Sequence, residues 1–324
     1  MRVLVTGANG LVGGYVVTKL LEIGFQVRVL VRRKTDKFPS QVEVFEGDIT
    51  DSITISDAVS NCDAVVHCAA IISFWPSMRD VQWKTNVDGT RHLIDAMLYH
   101  QIPVLVHISS IAAIGRNKQI QIIKESQLWE ESSDNSFYAK TKYEAELEVF
   151  RGFEEGIQGI ILNPSIILGP GKKDSGSTRL FDYVLKGSTF YTKGNLHYVD
   201  VRDVADAVAE VLVKKLFTQE RYILNAGTIS YQSFFNQIAV KAGVKAPSVE
   251  ASNWMKALAW RVEAVKSWFT QKEPTITKET AKTASGNYIY NSDKIKQLLT
   301  FPKYRLEDSI SYTLDILKAR QDFR

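Results

Sequence analysis

Hydrophobic positions along the chain follow two alternating patterns. Short, nearly unbroken apolar runs lie at Met1–Val5, Gln26–Val31, Val42–Phe45, Ala64–Ala70, Val104–Ser110, Gly159–Leu168 and Tyr222–Asn225. Rich in Val and Ile, they read as buried strands. Between them, Leu11–Ile23, Ser52–Val59, Asp80–Tyr99 and Phe137–Phe153 carry apolar residues three and four apart and read as amphipathic helices. Gly24 is the residue type that ends a helix in a left-handed turn. His197–Val213 predicts a strand then a helix, Tyr231–Ala242 a helix, and Tyr288–Ser292 with Asp293–Leu299 a last strand and helix. Strands alternating with helices predict an α/β fold, a doubly wound parallel sheet with helices on both faces.

Other stretches break the pattern. Residues 116–136 are polar and irregular and read as a loop. Residues 172–195, with Lys172, Lys173, Arg179, Phe181, Tyr183, Phe190 and Tyr191, look like an insertion. Beyond Ala246, Trp254, Leu258, Val262, Val265 and Phe269 recur at helical spacing, with Lys256, Arg261 and Lys266 off that stripe. Such a helix would cap a second, smaller domain or lie on a membrane surface.

The first strand-to-helix junction reads Thr6-Gly7-Ala8-Asn9-Gly10-Leu11-Val12-Gly13-Gly14. Gly7 lets the chain turn tightly, Gly10 lets backbone approach a pyrophosphate, and Gly13 lets the helix pack closely on the strand. The helix N-terminus offers free N–H groups and positive dipole. Gly7, Asn9, Gly10, Leu11, Val12 and Gly13 are therefore candidate dinucleotide contacts. The second strand ends in Arg32-Arg33-Lys34 instead of the acidic residue that takes a ribose 2′-OH. A guanidinium grips a 2′-phosphate that a carboxylate would repel, so Arg32 points to NADP rather than NAD. The competing reading is a solvated basic turn, and Asp36 nearby favours it.

Composition excludes several classes. The 324 residues are 45% apolar and 23% charged, with a net charge of +4, ordinary for a globular protein and too small a charge to predict nucleic-acid binding. Two cysteines, Cys62 and Cys68, are too few for a disulfide framework and suggest a reducing, cytoplasmic setting. No apolar run predicts a membrane span, and a strand starting at residue 1 leaves no signal peptide to expect. His67 and Cys68 sit in an apolar strand with no ligand spacing around them, so they read as core and no metal is expected.

Candidate chemistry gathers at strand ends. Ser109 and Ser110 close the fifth strand. Tyr138 and Lys142, four apart, share a helix face. A tyrosine titrates near pH ~10, and a cationic neighbour stabilises its phenolate toward working pH. Together with Gly-x-x-Gly-x-x-Gly they resemble the Ser–Tyr–Lys set of the short-chain dehydrogenase/reductase superfamily. The chain looks like its extended, NAD(P)-dependent epimerase/dehydratase type, in the dihydroflavonol-4-reductase-like branch.

That resemblance implies roles for further residues. Ser110 is the family serine, with Gly115 at the family's distance, and Ser109 is the fallback. Asp48, with the Ile49 N–H, would contact the adenine; Asp48 could equally cap the Ser52–Val59 helix. Ala69 and Ala70 would let the cofactor lie flat on the sheet edge. Asn86 would place a carbonyl and a water behind the site, or mark a helix kink. Asn163, Pro164 and Ser165 would pack on the nicotinamide. Ile71–Trp75 would line an apolar substrate pocket or form a loop anchored by Trp75.

The implied activity is NADP(H)-dependent reduction of a carbonyl, or the reverse, on a small apolar or aromatic substrate. Tyr138 would give the proton, Ser110 would hydrogen-bond the oxygen, and Lys142 would hold the ribose and depress the tyrosine pKa. A nucleotide-sugar epimerase/dehydratase or sterol-type dehydrogenase/isomerase is the alternative. Sugar-nucleotide relatives, however, carry an Arg where this chain has Leu196-His197, although Lys172, Lys173 or Arg179 could substitute. A non-catalytic NADP-binding regulatory protein is a third reading, opposed by the intact Ser110, Tyr138 and Lys142. Residues 1–170, completed by about 196–228, are expected to form the Rossmann domain, and 171–324 mainly a discontinuous C-terminal substrate domain. Helices over 80–99 and 137–153 could pair in a homodimer.

Overall fold

The computed structural model describes residues 1–116, 121–173, 176–252 and 288–320, with a few isolated positions between 254 and 270. Leu258, Val262, Val265 and Phe269 of the expected C-terminal stripe, with Lys256 and Lys266, lie outside the described residues.

The first half alternates as its hydrophobic pattern predicts. It runs β1 (Arg2–Thr6), α1 (Leu11–Glu22), β2 (Gln26–Val31), β3 (Glu43–Glu46), α2 (Ser52–Val59), β4 (Ala64–His67), α3 (Arg79–Trp83), α4 (Gly89–Tyr99) and β5 (Val104–Ile108). There follow β6 (Ile122–Ile123), α5 (Phe137–Glu154), β7 (Gln158–Pro164), β8 (Ile166–Leu168), α6 (Thr178–Leu185), β9 (Phe190–Tyr191), β10 (Asn195–Asp200) and α7 (Val201–Lys214). The rest comprises β11 (Arg221–Leu224), β12 (Gly227–Ser230), α8 (Tyr231–Ala242), β13 (Val249–Glu250), β14 (Ile289–Tyr290), α9 (Asp293–Leu298) and α10 (Leu306–Ala319).

Seven parallel strands form one sheet in the order β11-β7-β5-β4-β1-β2-β3. The register aligns their carboxyl ends: Thr6 stands beside Leu30 and His67, His67 beside His107, and Ile108 beside Leu162. Alternate residues serve opposite faces. Val3 and Val5 pack with Val16 and Leu20 of α1 and Val204 and Val208 of α7. Leu4 packs on the other face with Ile55 of α2 and Leu93 and Met97 of α4. Each such fully buried side chain contributes about 1.5–3 kcal/mol of transfer free energy. A separate core joins α6, α8 and α10 through Phe181, Phe234, Ile310 and Leu314.

Five local expectations change. The Gly159–Leu168 run is two strands in different sheets. Pro164 ends β7, having no N–H to continue the ladder, and β8 pairs with β10 in a three-stranded sheet with β12. The fourth strand stops at His67, so Ala69 and Ala70 lie beyond it; β1, its neighbour, turns away at Gly7, where φ is +70°. The expected helix over 80–99 is interrupted by a wide π-type turn at Lys84–Asp88. The cap of α2 is Asp51, which accepts from the N–H groups of Ile53 and Thr54, rather than Asp48. Helix α10 was not expected, although Leu306, Ile310, Leu314 and Leu317 carry a helical stripe.

Candidate active site

The glycine junction is a cradle made by missing side chains. A Cβ on Gly7 would stand 2.6 Å from the Ala69 nitrogen, and one on Gly13 would stand 2.3 Å from the Gly7 oxygen. Gly10 precedes α1 with no side-chain cap, so the first N–H groups of the helix are left to a ligand. Asn9, Gly10 and Leu11 line a cleft of about 140 Å³ closed on its other side by Gly171, Lys172, Gly176, Ser177 and Thr178. A turn packed too tightly for any Cβ at Gly7 and Gly13, leading into an uncapped helix N-terminus beside this cleft, fits a dinucleotide pyrophosphate.

The flanking candidates sit around this cradle. Arg32 and Arg33 directly follow β2, are exposed, and have no ion pair or side-chain hydrogen bond among the described residues. Asp48 Oδ1 accepts from the Thr50 N–H and hydroxyl in a local turn. Ile49 is buried against α4, within van der Waals reach of Gly89. The Ala69 N–H donates to Thr6 Oγ1.

At the carboxyl end of β5 the two serines part. Ser109 is buried, and its hydroxyl donates to Glu146 Oε1 at 2.5 Å. Ser110 caps the short 3-10 turn Ile111–Ile114 through the Ala112 N–H, and its side chain stands beside that of Tyr138. The geometry thus groups Ser110, not Ser109, with Tyr138. Phe74 packs edge-on against the Tyr138 ring at 6.1 Å, so the Ile71–Trp75 segment does border the tyrosine. Pro76 then starts a short turn, and Ile72 is exposed.

Lys142 lies one turn along α5 from Tyr138 and is 2% exposed. Its ammonium donates to the Ile108 carbonyl at 3.1 Å and stands 3.5 Å from His107 Nε2. Burial pushes Lys142 down to about 8, against the opposing pull of Glu146. Burial pushes the Tyr138 phenol up to about 12, outweighing the opposing pull of Ser110. The expected lowering of Tyr138 by Lys142 is therefore not met in this arrangement, because the ammonium is spent on the end of β5.

Under these groups lies a buried polar layer, in which Glu146 and Arg221 were not singled out by the sequence. Glu146, on the same face of α5, accepts from Ser109 and from Asn163 Nδ2 and pairs with Arg221 at 3.3 Å. Asn163 Nδ2 also donates to the Ser110 carbonyl at 2.9 Å, so this side chain, wholly buried, braces the serine from below. Ser165 is buried too, its hydroxyl without a partner. Asn86 accepts from the Ile71 N–H and donates to the Ile71 carbonyl and Thr141 Oγ1. It clamps the loop after β4 to α5 from within the π-type turn.

His67 bonds Thr6 Oγ1 at 2.7 Å and Thr90 Oγ1 at 3.0 Å. Thr90 gives its own proton to the Asn86 carbonyl, so His67 donates through Nε2. Burial holds His67 down to about 3 and His107 well below its usual value. No group of metal ligands occurs among the described residues.

On the far side, the aromatics of 172–195 mostly build core. Phe181 is fully buried against Phe234, and Tyr183 packs on Phe235. They pack inside the α6–α8–α10 lobe, so the stretch that reads as an insertion supplies core. His197 Nδ1 bonds Thr228, and its ring meets Tyr290. Arg116, unremarked in the sequence, stands in the same cluster. Trp129 stacks flat on Tyr143 at 4.6 Å and covers Gly115, which orders part of the expected loop.

A family model described as the NAD dependent epimerase/dehydratase family matches residues 3–227. A protein of Synechocystis sp. that bears the name "Putative dihydroflavonol 4-reductase" is 29% identical over 316 residues, 95% of this chain and 92% of that protein. The crystal structure of gox2253 superposes with a TM-score of 0.82 at 29% identity, covering 100% of this chain and 99% of the other. UDP-glucuronic acid 4-epimerase from Bacillus cereus, solved in complex with NAD, shares the fold at a TM-score of 0.79 and 18% identity, covering 100% and 98%.

Proposed function

The chain belongs to the NAD-dependent epimerase/dehydratase family, and from that premise we propose that it is an NADP(H)-dependent reductase of a small apolar or aromatic carbonyl compound. The observation that carries this reading is the pairing of Ser110 with Tyr138 at the carboxyl end of the sheet, beside Phe74. Gly7, Asn9, Gly10, Leu11, Val12 and Gly13 would hold the pyrophosphate. Arg32 would take the 2′-phosphate, and Asp48, through the carboxylate oxygen not used by Thr50, the adenine side. When bound, the reduced nicotinamide supplies the hydride, chemistry that belongs to the cofactor.

The protein positions and protonates. Ser110 Oγ hydrogen-bonds the carbonyl oxygen and fixes it beside Tyr138 Oη. Tyr138, whose phenol keeps its proton at neutral pH, would give that proton to the carbonyl oxygen in the reductive direction. Lys142, one turn along α5 from Tyr138 and anchored on the Ile108 carbonyl, would hold the ribose. Asn163 and Glu146 brace Ser110, and Asn86 sets the spacing between α5 and the Phe74 loop. No described helix is long and apolar enough to cross a membrane. Both cysteines are free thiols, which supports a cytoplasmic setting.

The test is a screen of aromatic and aliphatic aldehydes and ketones against UDP-, GDP- and dTDP-sugars, followed by NADPH and NADH oxidation. Turnover of a carbonyl compound with NADPH ahead of NADH is the expected result. Conversion of a nucleotide sugar alone would replace this reading with an epimerase or dehydratase.

A further inference from the structure

Arg116 follows Gly115, whose φ of +83° closes the short turn that Ser110 opens. Ser110 and Arg116 are thus two ends of one segment, with Tyr138 beside the first. The Arg116 N–H donates to Asn135 Oδ1 at 2.8 Å, and its guanidinium Nε donates to Tyr290 Oη at 2.9 Å. The guanidinium carbon lies 5.7 Å from the centre of the Tyr288 ring. Both terminal nitrogens are left without a hydrogen bond, and no carboxylate pairs with them among the described residues.

The rings packed around the Arg116 guanidinium among the described residues are neutral. Burial pushes Tyr231 up to about 12 and His197 down to about 4. His197 spends its Nδ1 on Thr228. An arginine cannot shed its proton in a protein, and enclosing its charge without a counter-charge is costly. Here the fork is held at Nε by a tyrosine, backed by aromatic rings, and open at the two nitrogens that bind carboxylate or phosphoryl oxygens side by side.

We propose that Arg116 recognises an anionic group, a carboxylate or a phosphoryl, on the substrate. The substrate would then carry its negative charge on the Arg116–Tyr290 side and its reacting carbonyl at Ser110 and Tyr138. Its identity as a carbonyl compound rests on the reductase reading; the anion site itself does not.

The test is calorimetry and thermal shift on the full chain, with benzoate, phenyl phosphate and neutral benzamide as probes, with and without NADP. One or both anions should bind at least about tenfold more tightly than benzamide and persist when NADP is added. Benzoate ahead indicates a carboxylate, and phenyl phosphate ahead a phosphoryl group. Arg116→Gln should bring both anions down to the benzamide level and leave NADP binding unchanged. Arg116→Met, which keeps the stem packing, serves if the glutamine variant does not fold. Three results overturn the proposal: no preference for anions in the unmodified protein, displacement of the anions by NADP, or a preference that survives loss of the guanidinium. Failure of the reductase reading appears separately, as absent NADPH binding or turnover, and leaves the anion preference standing.

Discussion

Two regions at the carboxyl end of one sheet are built by opposite means. The turn after β1 is defined by what is missing: Gly7 and Gly13 sit where any side chain would strike backbone. The ends of β5 and β7 are defined by what is enclosed: Lys142, Glu146, Asn163 and His107 are polar and buried. The first arrangement presents unsatisfied backbone N–H groups to a ligand and asks only for room. The second holds ionisable groups away from water, which shifts their protonation and fixes their directions. In the proposed function, binding and chemistry would fall to separate regions, joined through Thr6, His67 and Thr90.

If that division holds, the largest effect comes from the enclosed region. Tyr138→Phe should lower turnover by about 10²–10⁴-fold while NADPH binding measured by fluorescence titration stays close to unmodified. Full activity in the variant would remove Tyr138 as the proton donor. A comparable loss of cofactor affinity would blur the separation itself.

Gly13→Val should do the reverse. Its Cβ would stand 2.3 Å from the Gly7 oxygen, so the cradle must open. We expect NADPH binding to fail in titration and stability to fall by about 1–3 kcal/mol in urea denaturation. A variant that binds cofactor normally would show that close packing of α1 on the turn is not what shapes the cradle.

The histidine joining the two regions gives a pH test. His67 is held near 3 in the fold, against about 6.5 when unfolded. Between those values the unfolded chain takes a proton that the folded chain refuses, so stability is present above the window and is lost as pH falls through it. The loss between pH 7 and pH 5 should be about 2 kcal/mol from His67, with His107 acting in the same direction. Asp203, raised to about 6 by burial, opposes it. Urea midpoints at the two pH values check this, and no fall would mean that His67 is protonated within the sheet.

The smallest effect is at the rim of the cradle. Arg32 is exposed, and water and salt screen its attraction for a 2′-phosphate. Arg32→Asp should weaken NADPH by about tenfold relative to NADH. Equal affinity for both cofactors in the unmodified protein would remove Arg32 from cofactor selection.

The sequence by itself determined the α/β alternation, the doubly wound parallel sheet, the glycine turn and the shared helix face of Tyr138 and Lys142. All of these follow from local spacing: period 2 against 3.6, a glycine where backbone must approach backbone, and residues four apart on a helix. The preference for Ser110 over Ser109 came from the family resemblance, which sets Gly115 at the matching distance. What only the tertiary structure decided depends on contacts between distant segments. Glu146 meets Asn163 and Arg221, Asn86 grips Ile71 and Thr141, and Arg116 meets Tyr290 across 174 residues of chain. Protonation was out of reach for the same reason. Spacing sets Lys142 beside Tyr138, but the burial of both and the pull of the Ile108 carbonyl on the ammonium arise only when β5, β7 and α5 close on one another.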